Sequence, residues 1–387
     1  MTRPDAVVIG GGIQGASAAY NLAKRDFGKV LVLERGARSG LDGATGRSAS
    51  MIIQQTGSPG LSALAKRSFE ILQSLSQELE QPIPFKQTGS ILYGGDTEDS
   101  LHGGRVESDL RRLLTEQVEL GIATDWVARE RLEEISKGML AGSAATCGIY
   151  CEADGYTDGR AVRDAYLSAL RNLGGDVAYE SEVIGLEIVG AQVRGVRLAD
   201  GGKISTSTVL NCAGIHASVI DRWAGVQLPL SIDQRFLAIL EPPAGVPAEF
   251  PIFEDLHREW YFRPDSRGVL MGVGPTQKLD IDKLPPVGTE LGEDRTQLAR
   301  EYMSRFVPRL AQSTVLEAWA GRRPLIDQVS PEGLAAMPEI GQVGDLEGMY
   351  QSVGWGAFGI TLAFVGGQLA ADAICGDPVT VEKQTSA

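Results

Sequence analysis

Asp5-Ala-Val-Val-Ile-Gly10-Gly-Gly12-Ile-Gln-Gly15-Ala-Ser-Ala-Ala-Tyr-Asn-Leu-Ala23 is an apolar run that ends in a G-x-G-x-x-G turn and flows into a small-residue helix. Lys29-Val-Leu-Val-Leu33 follows as a second strand and closes on Glu34, 19 positions after Gly15. Strand, glycine turn, helix, strand and acid in this order make a dinucleotide-binding β-α-β unit. Gly10 permits the tight turn, Gly12 lets the backbone approach a pyrophosphate, and Gly15 lets the helix pack close to the strand. The helix N-terminus presents N–H groups and partial positive charge to the phosphates. Glu34 can accept hydrogen bonds from an adenosine ribose.

The 387 residues predict two to three domains with an ample core. A formal net charge of −14 argues against a nucleic-acid or anionic-membrane surface. The nucleotide strand opens at Asp5, which leaves no room for a signal peptide, and a cytoplasmic enzyme is expected. The apolar stretch 349–374 is broken by glycines and carries Gln351, Gln368 and Asp372, so it reads as strand, turn and core helix rather than a membrane span. Cys147 and Cys151 have loosely metal-like spacing, but no second pair or nearby histidine completes a site. Buried thiols are expected, and no metal.

Hydrophobic periodicity predicts helices over 61–79, 105–121, 128–136, 158–173, 294–307 and 359–374. Strands are expected at 90–93, 183–189, 193–198, 203–207, 209–214, 236–240, 260–263, 269–273, 315–320 and 349–353. Two patterns are thus interleaved, one suited to a doubly wound nucleotide fold and one to an antiparallel sheet.

NAD and FAD both use the opening fingerprint. Three features favour FAD. Glu34-Arg35-Gly36 leads into the polar loop Gly43-Ala-Thr-Gly46-Arg-Ser-Ala-Ser50, whose small residues admit a second ring system. Asn211-Cys-Ala-Gly214 closes another strand where the dinucleotide would lie. Gly354-Trp-Gly356-Ala-Phe-Gly359 precedes the last helix, a further N-terminus suited to the anionic end of a reduced flavin.

At this point the chain resembles the D-amino-acid-oxidase superfamily of FAD enzymes over nearly its whole length. Thr45-Gly-Arg-Ser-Ala-Ser-Met-Ile-Ile53 and Gly354-Trp-Gly356 look most like the β-subunit of multimeric sarcosine oxidase and glycine-oxidase-like members. Trp319-Ala-Gly-Arg-Arg-Pro324, Ser330-Pro-Glu-Gly-Leu334 and Pro338-Glu-Ile-Gly341 are similar to the family's W-x-G-x-R-P run, Pro-Asp-Gly turn and Pro-x-Ile-Gly strand. The expected fold is α/β (α+β): a discontinuous Rossmann-like FAD-binding domain over 1–82, 148–217 and 321–387, with a substrate domain on an antiparallel sheet over 83–147 and 218–320.

The resemblance implies hydride transfer from a carbon next to nitrogen to flavin, followed by hydrolysis of the imine. It implies an FAD contact set of Gly10, Gly12, Ile13, Gln14, Gly15, Glu34, Arg35, Thr45, Gly46, Arg47, Ser48, Ser50, Met51, Val183, Cys212, Ala213, Gly214, Gly321, Gly354, Gly356, Ala357, Phe358, Gly359, Ile360 and Thr361. Arg323 stands where glycine-oxidase-like members pair an arginine with the substrate carboxylate; bracing the loop or contacting FAD is the other reading. Tyr261 stands where members place an aromatic wall over the flavin, or is a core tyrosine. Trp355 is placed near the flavin. His257 precedes the Arg263 strand and is a candidate base, His216 a structural residue and His102 a solvated one.

The departures from the family narrow the expectation. Ile53-Gln54-Gln55 replaces an arginine, and Thr361 replaces a lysine. Both changes argue against a simple N-methylglycine substrate, and the second favours a dehydrogenase over a fast oxidase. Arg322 to Ile326 contains no cysteine, and Thr157 stands where one covalent-flavin histidine would be, so non-covalent FAD is expected. The expected partners are a small amine or amino-acid substrate and oxygen or another electron acceptor. The rival readings are an FAD-dependent 2-hydroxy-acid dehydrogenase using a base such as His257, an FAD-holding subunit of a heteromeric amine dehydrogenase, and an NAD-dependent dehydrogenase.

Overall fold

The computed structural model describes residues 3–40, 42–95, 105–327 and 336–378. His102, the Ser330–Leu334 stretch and the end of the tail lie outside the described residues. The opening motif forms the strand Ala6–Ile9 and the helix Ile13–Lys24. A six-stranded sheet is built in the order 339–342, 349–353, 209–211, 6–9, 30–33, 176–178. Its pairings are parallel except at the 339–342 edge, which is antiparallel.

Strand alternation explains its two coverings. Ala6 and Val8 turn to one face, where the helices Ile13–Lys24, Gly159–Asn172 and Ala363–Cys375 supply Ala19, Leu22, Tyr166, Leu170 and Phe364 to one buried cluster. Val7 and Ile9 turn to the other face and meet Leu186, Val193 and Val196 of an antiparallel meander. The sheet is therefore buried on both sides, as parallel sheets are.

The second large sheet has eight strands in the order 314–326, 230–241, 268–279, 261–265, 252–255, 90–95, 145–151, 124–128. It is antiparallel apart from one parallel pair, 252–255 beside 90–95. Phe236, Ala238, Phe253, Phe262 and Met271 point to one face and pack under the helix Glu293–Phe306 through Tyr302, Met303 and Phe306. The opposite face carries Leu237, Ile239 and Tyr261, which meet Ala49 from the nucleotide side. That face is the floor of the candidate site.

The sequence expectation departs from the structure at several points. Strands 124–128, 145–151 and 252–255 were not expected; each owes its place to a distant partner rather than to its own pattern. The strand expected over 315–320 runs from Thr314 to Ile326, through Pro324. It lies at the sheet edge, where a residue without an N–H leaves no ladder bond unmade. The last helix begins at Ala363 rather than Gly359, after a 3₁₀ turn over Gly356–Phe358.

The helix Gly159–Asn172 is capped by Asp158, whose Oδ1 accepts from the N–H groups of Arg160 and Ala161. Asp158→Ala is expected to cost about 1 kcal/mol, read as a lower urea midpoint at unchanged slope.

Candidate active site

A cavity of about 1130 Å³ opens between the glycine turn of the parallel sheet and the floor of the eight-stranded sheet. It exceeds the roughly 300–1,000 Å³ of ordinary small-molecule sites, as a dinucleotide with its substrate requires.

The nucleotide end is shaped by backbone close to backbone. Gly10 has φ +105°, and a Cβ there would lie 2.4 Å from the Cys212 carbonyl oxygen. A Cβ on Gly15 would lie 2.0 Å from the Gly10 carbonyl oxygen, so the helix can sit this low on the strand only with glycine there. Gly12 has no neighbour tighter than Thr45 Oγ1 at 3.4 Å and so keeps its backbone open to the cavity. Glu34 holds its carboxylate at the mouth of the turn by accepting from Gly11 N–H and Gly36 N–H, both at 2.7 Å. Thr45 Oγ1 accepts from Ile13 N–H at 3.1 Å, which ties the polar loop to the helix start.

The middle of the cavity is closed by long-range ties. Gln14 Nε2 donates to the Gly359 carbonyl at 2.9 Å, joining the first helix to the last turn. Arg263 Nε donates to the Ala49 carbonyl at 2.7 Å, and Trp319 Nε1 donates to the Arg47 carbonyl at 3.0 Å. These two bonds hold the 43–50 loop against the eight-stranded sheet. Thr361 Oγ1 donates to the Met51 carbonyl at 3.1 Å and accepts from Ile53 N–H at 3.3 Å, bracing the backbone. Gln55 donates from Nε2 to Ser90, while its buried Oε1 has no partner.

The floor is charged. On the strand 314–326, Trp319, Gly321 and Arg323 share a face, and on 230–241 they oppose Leu237, Arg235 and Asp233. Arg323 Nη2 lies 3.6 Å from Asp233 Oδ2, and its buried Nε has no partner. Arg235 donates to the Glu259 carbonyl at 2.7 Å and to Glu259 Oε2 at 2.8 Å, and its guanidinium lies 5.1 Å from the centre of the Tyr261 ring. A Cβ on Gly272 would lie 2.1 Å from Tyr261 Cζ, so the ring leans over that glycine. Burial lowers the basicity of Arg323, and the neighbouring Arg235 lowers it further. Glu254 completes the floor; burial pushes its carboxyl up, with Arg235 and Arg323 opposing.

Most of the residues expected from the sequence line this one cavity, including Arg323 and Tyr261, Glu34 and Arg35, Val183, Cys212 to Gly214, Gly321 and the 354–361 turn. Three do not. Gly15 lies beneath the turn, and Gly46 is not among the residues that line the cavity. His257 is turned away from the cavity: its Nε2 lies 3.0 Å from Asp109 Oδ2 on the helix Val106–Glu119. The turn that begins at Asp255, whose Oδ1 accepts from the N–H groups of His257 and Arg258, aims it there. His216 lies at the nucleotide end, where burial, helped by Arg35 and Arg322, pushes its imidazole down to about 4.

Arg235 and Glu254 were not found from the sequence. Neither sits in a motif, and only the register of the sheet brings them beside Tyr261. The residues present fit FAD. A Cβ on Gly10 would break the cradle, Glu34 is pre-set beside it, and the buried Arg47 Nε, on a residue of the cavity wall, has no partner. Among the described residues, no cluster of His, Cys, Asp and Glu could hold a metal ion, and no helix is long and apolar enough to cross a membrane.

The family described as DAO, FAD dependent oxidoreductase, matches residues 5–373. Among curated proteins, 4-methylaminobutanoate oxidase (formaldehyde-forming) of Paenarthrobacter nicotinovorans is 24% identical over 97% of this chain and 44% of its own length. Sarcosine oxidase subunit beta of an Arthrobacter species is 26% identical over 92% of this chain and 83% of its own. The chain spans less than half the length of the first curated relatives it matches. Among solved structures, L-proline dehydrogenase from P. horikoshii superposes with a TM-score of 0.84 at 24% identity, over 98% of this chain and 96% of that one.

Gly10→Ala tests the cradle. It puts a Cβ into the Cys212 carbonyl at a left-handed φ, and the expected result is FAD bound roughly tenfold or more weakly. Flavin fluorescence titration of the apoprotein reads it directly.

Proposed function

The chain belongs to the family of FAD dependent oxidoreductases, and from that premise we propose that it oxidises the C–N bond of a small amine or amino acid that carries a carboxylate. The observation that carries this reading is the charged floor. Arg323, with a buried and unpartnered Nε, faces a cavity continuous with the dinucleotide turn. A planar guanidinium suits a carboxylate. Arg235, over the Tyr261 ring, adds a second positive group.

FAD bound in this cradle would take a hydride from the carbon beside nitrogen. The chain's part is to orient and to desolvate. Arg323 anchors the carboxylate, Tyr261 offers a flat ring for the substrate to lie on, and Leu237 and Leu92 exclude water from that end. The turn 354–361 lines the opposite wall. The histidine positions support amine over alcohol oxidation. His257 is engaged with Asp109, and His216 is a weak base at the nucleotide end. Neither is placed to deprotonate a hydroxy acid over Tyr261.

The flavin is held non-covalently. Cys212 is the cysteine on the cavity wall, and burial pushes its thiol up to about 12, which disfavours the thiolate that attack on the flavin would need. Acid precipitation is expected to leave the yellow colour in the supernatant; colour in the pellet would contradict this.

A second reading is that the chain is the FAD-bearing subunit of a heteromer. It is favoured by the relative that this chain covers over 83% of its length, which is itself named as a subunit. One experiment separates the readings. The purified protein is titrated anaerobically with 4-methylaminobutanoate, sarcosine, L-proline and lactate, and its visible spectrum recorded. Bleaching by a nitrogen compound and not by lactate is the expected result. Bleaching by lactate alone would overturn the amine reading, and bleaching that appears only when a co-purifying chain is restored would establish the second.

A further inference from the structure

We propose that Glu254 receives the cationic nitrogen of the substrate and takes the proton that this nitrogen must lose before its carbon is oxidised. This rests on the C–N reading above and assigns a residue that no motif marks. The register of the eight-stranded sheet puts Glu254 opposite Tyr261 on one side and Leu92 on the other, so all three share the cavity face. The next residue in that row is Gly272, and the distal half of the Tyr261 ring covers it. The ring is therefore a platform with Glu254 beside its root and the Arg235 guanidinium 5.1 Å from its centre, and Arg323 is close enough to both to act on them electrostatically. A zwitterionic amino acid laid on it has its carboxylate at the arginines and its nitrogen at Glu254.

The acids around Glu254 are already engaged. Asp233 faces Arg323, Glu259 holds Arg235, and Asp255 points to the opposite face, where it meets Arg258 and accepts from Tyr302 at 2.9 Å. The Glu254 carboxylate has no hydrogen bond or ion pair to any described residue, although its neighbours on the same floor do. A carboxylate in a low-dielectric cavity without a contact partner is costly, and a substrate ammonium supplies the missing charge. Burial raises the carboxyl toward neutrality, the guanidiniums of Arg235 and Arg323 pull against that, and Glu259 and Asp255 add to it. A carboxyl raised in this way is a better proton acceptor than an ordinary one.

The step balances. One N–H bond of the ammonium breaks and one O–H bond of Glu254 forms. The lone pair freed on nitrogen is then available to the neighbouring C–H bond, from which FAD, when bound, would accept the hydrogen with both bonding electrons, and the resulting iminium ion is hydrolysed by water.

The test uses the FAD-loaded full chain and whichever of sarcosine, 4-methylaminobutanoate and L-proline bleaches it. The limiting rate of flavin bleaching is followed by anaerobic stopped flow, from below neutral pH to beyond the substrate ammonium's own pKa. Wild type is expected to lose rate only below a pKa well under that of the ammonium. Glu254→Gln is expected to be roughly 100-fold slower at neutral pH and to recover as pH passes the ammonium's pKa, because free amine no longer needs a base. Glu254→Asp keeps the wild-type profile at a lower rate. Calorimetry supplies a readout apart from turnover: glycine betaine, which has a fixed positive charge and cannot be oxidised in this way, should bind Glu254→Gln about tenfold more weakly than wild type, a loss of about 1.4 kcal/mol.

A wild-type profile that follows only the ammonium's own pKa would overturn the proposal without any variant. So would a Glu254→Gln enzyme that matches wild type, or one that is slowed equally at every pH. If no nitrogen compound bleaches the wild type, the C–N reading and this inference fall together; if one does and the profiles do not move, only this inference falls.

Discussion

The structure depends on one close approach. The first helix lies so low on the first strand that a Cβ at Gly15 would sit 2.0 Å from the Gly10 carbonyl, while Gly10 itself is pressed against the Cys212 carbonyl. The first strand, the helix that follows it and the distant turn at Cys212 therefore meet backbone to backbone at one point. Everything at the nucleotide end is aimed from there: Glu34 bonded to Gly11 and Gly36, Thr45 bonded to Ile13, and Gln14 bonded to Gly359. No side chain could be inserted without moving all three segments, which is why glycine, with no Cβ, occupies these positions.

The other half of the site follows from strand alternation in the eight-stranded sheet. Residues of one parity bury Phe236, Phe253 and Phe262 under the helix Glu293–Phe306. Residues of the other parity, Arg235, Arg323 and Glu254 among them, are left facing the cavity. Charges gathered there act in a medium where pairing matters more than at a surface. Most are paired to one another, so the floor is rigid before a ligand arrives. In the proposed reading the Arg323 guanidinium and the Glu254 carboxylate, on either side of Tyr261, receive the two charged ends of the substrate. The ties from Arg263 and Trp319 to the 43–50 loop keep this floor in register with the nucleotide turn.

What the sequence revealed and what it hid divide along the same line. The glycine turn, the acid at Glu34 and the helix that follows are local, with their signals inside some thirty residues. Arg323 was legible because it sits in a run similar to a known motif. Arg235 and Glu254 carry no local signal. Their meaning comes from the pairing of 230–241 with 314–326 and of 252–255 with 261–265, and the four-residue strand 252–255 has too little pattern to announce itself. His257 misled for the same reason. Next to the Tyr261 strand in sequence, it is swung outward by the Asp255 turn onto Asp109, a residue 148 positions away. Pro324 hid the end of an edge strand that tolerates it.

The central claim is that the glycine cradle and the charged floor form one site, with FAD in the first and a carboxylate-bearing amine over the second. A crystal structure of the protein with FAD and a non-oxidisable amino-carboxylate such as glycine betaine tests it most directly. The account predicts the adenosine at Glu34, the flavin ring between the 354–361 turn and Tyr261, and the ligand carboxylate on Arg323 with its cationic nitrogen toward Glu254. A ligand bound with its carboxylate away from both Arg323 and Arg235, or a flavin that does not reach Tyr261, would contradict it.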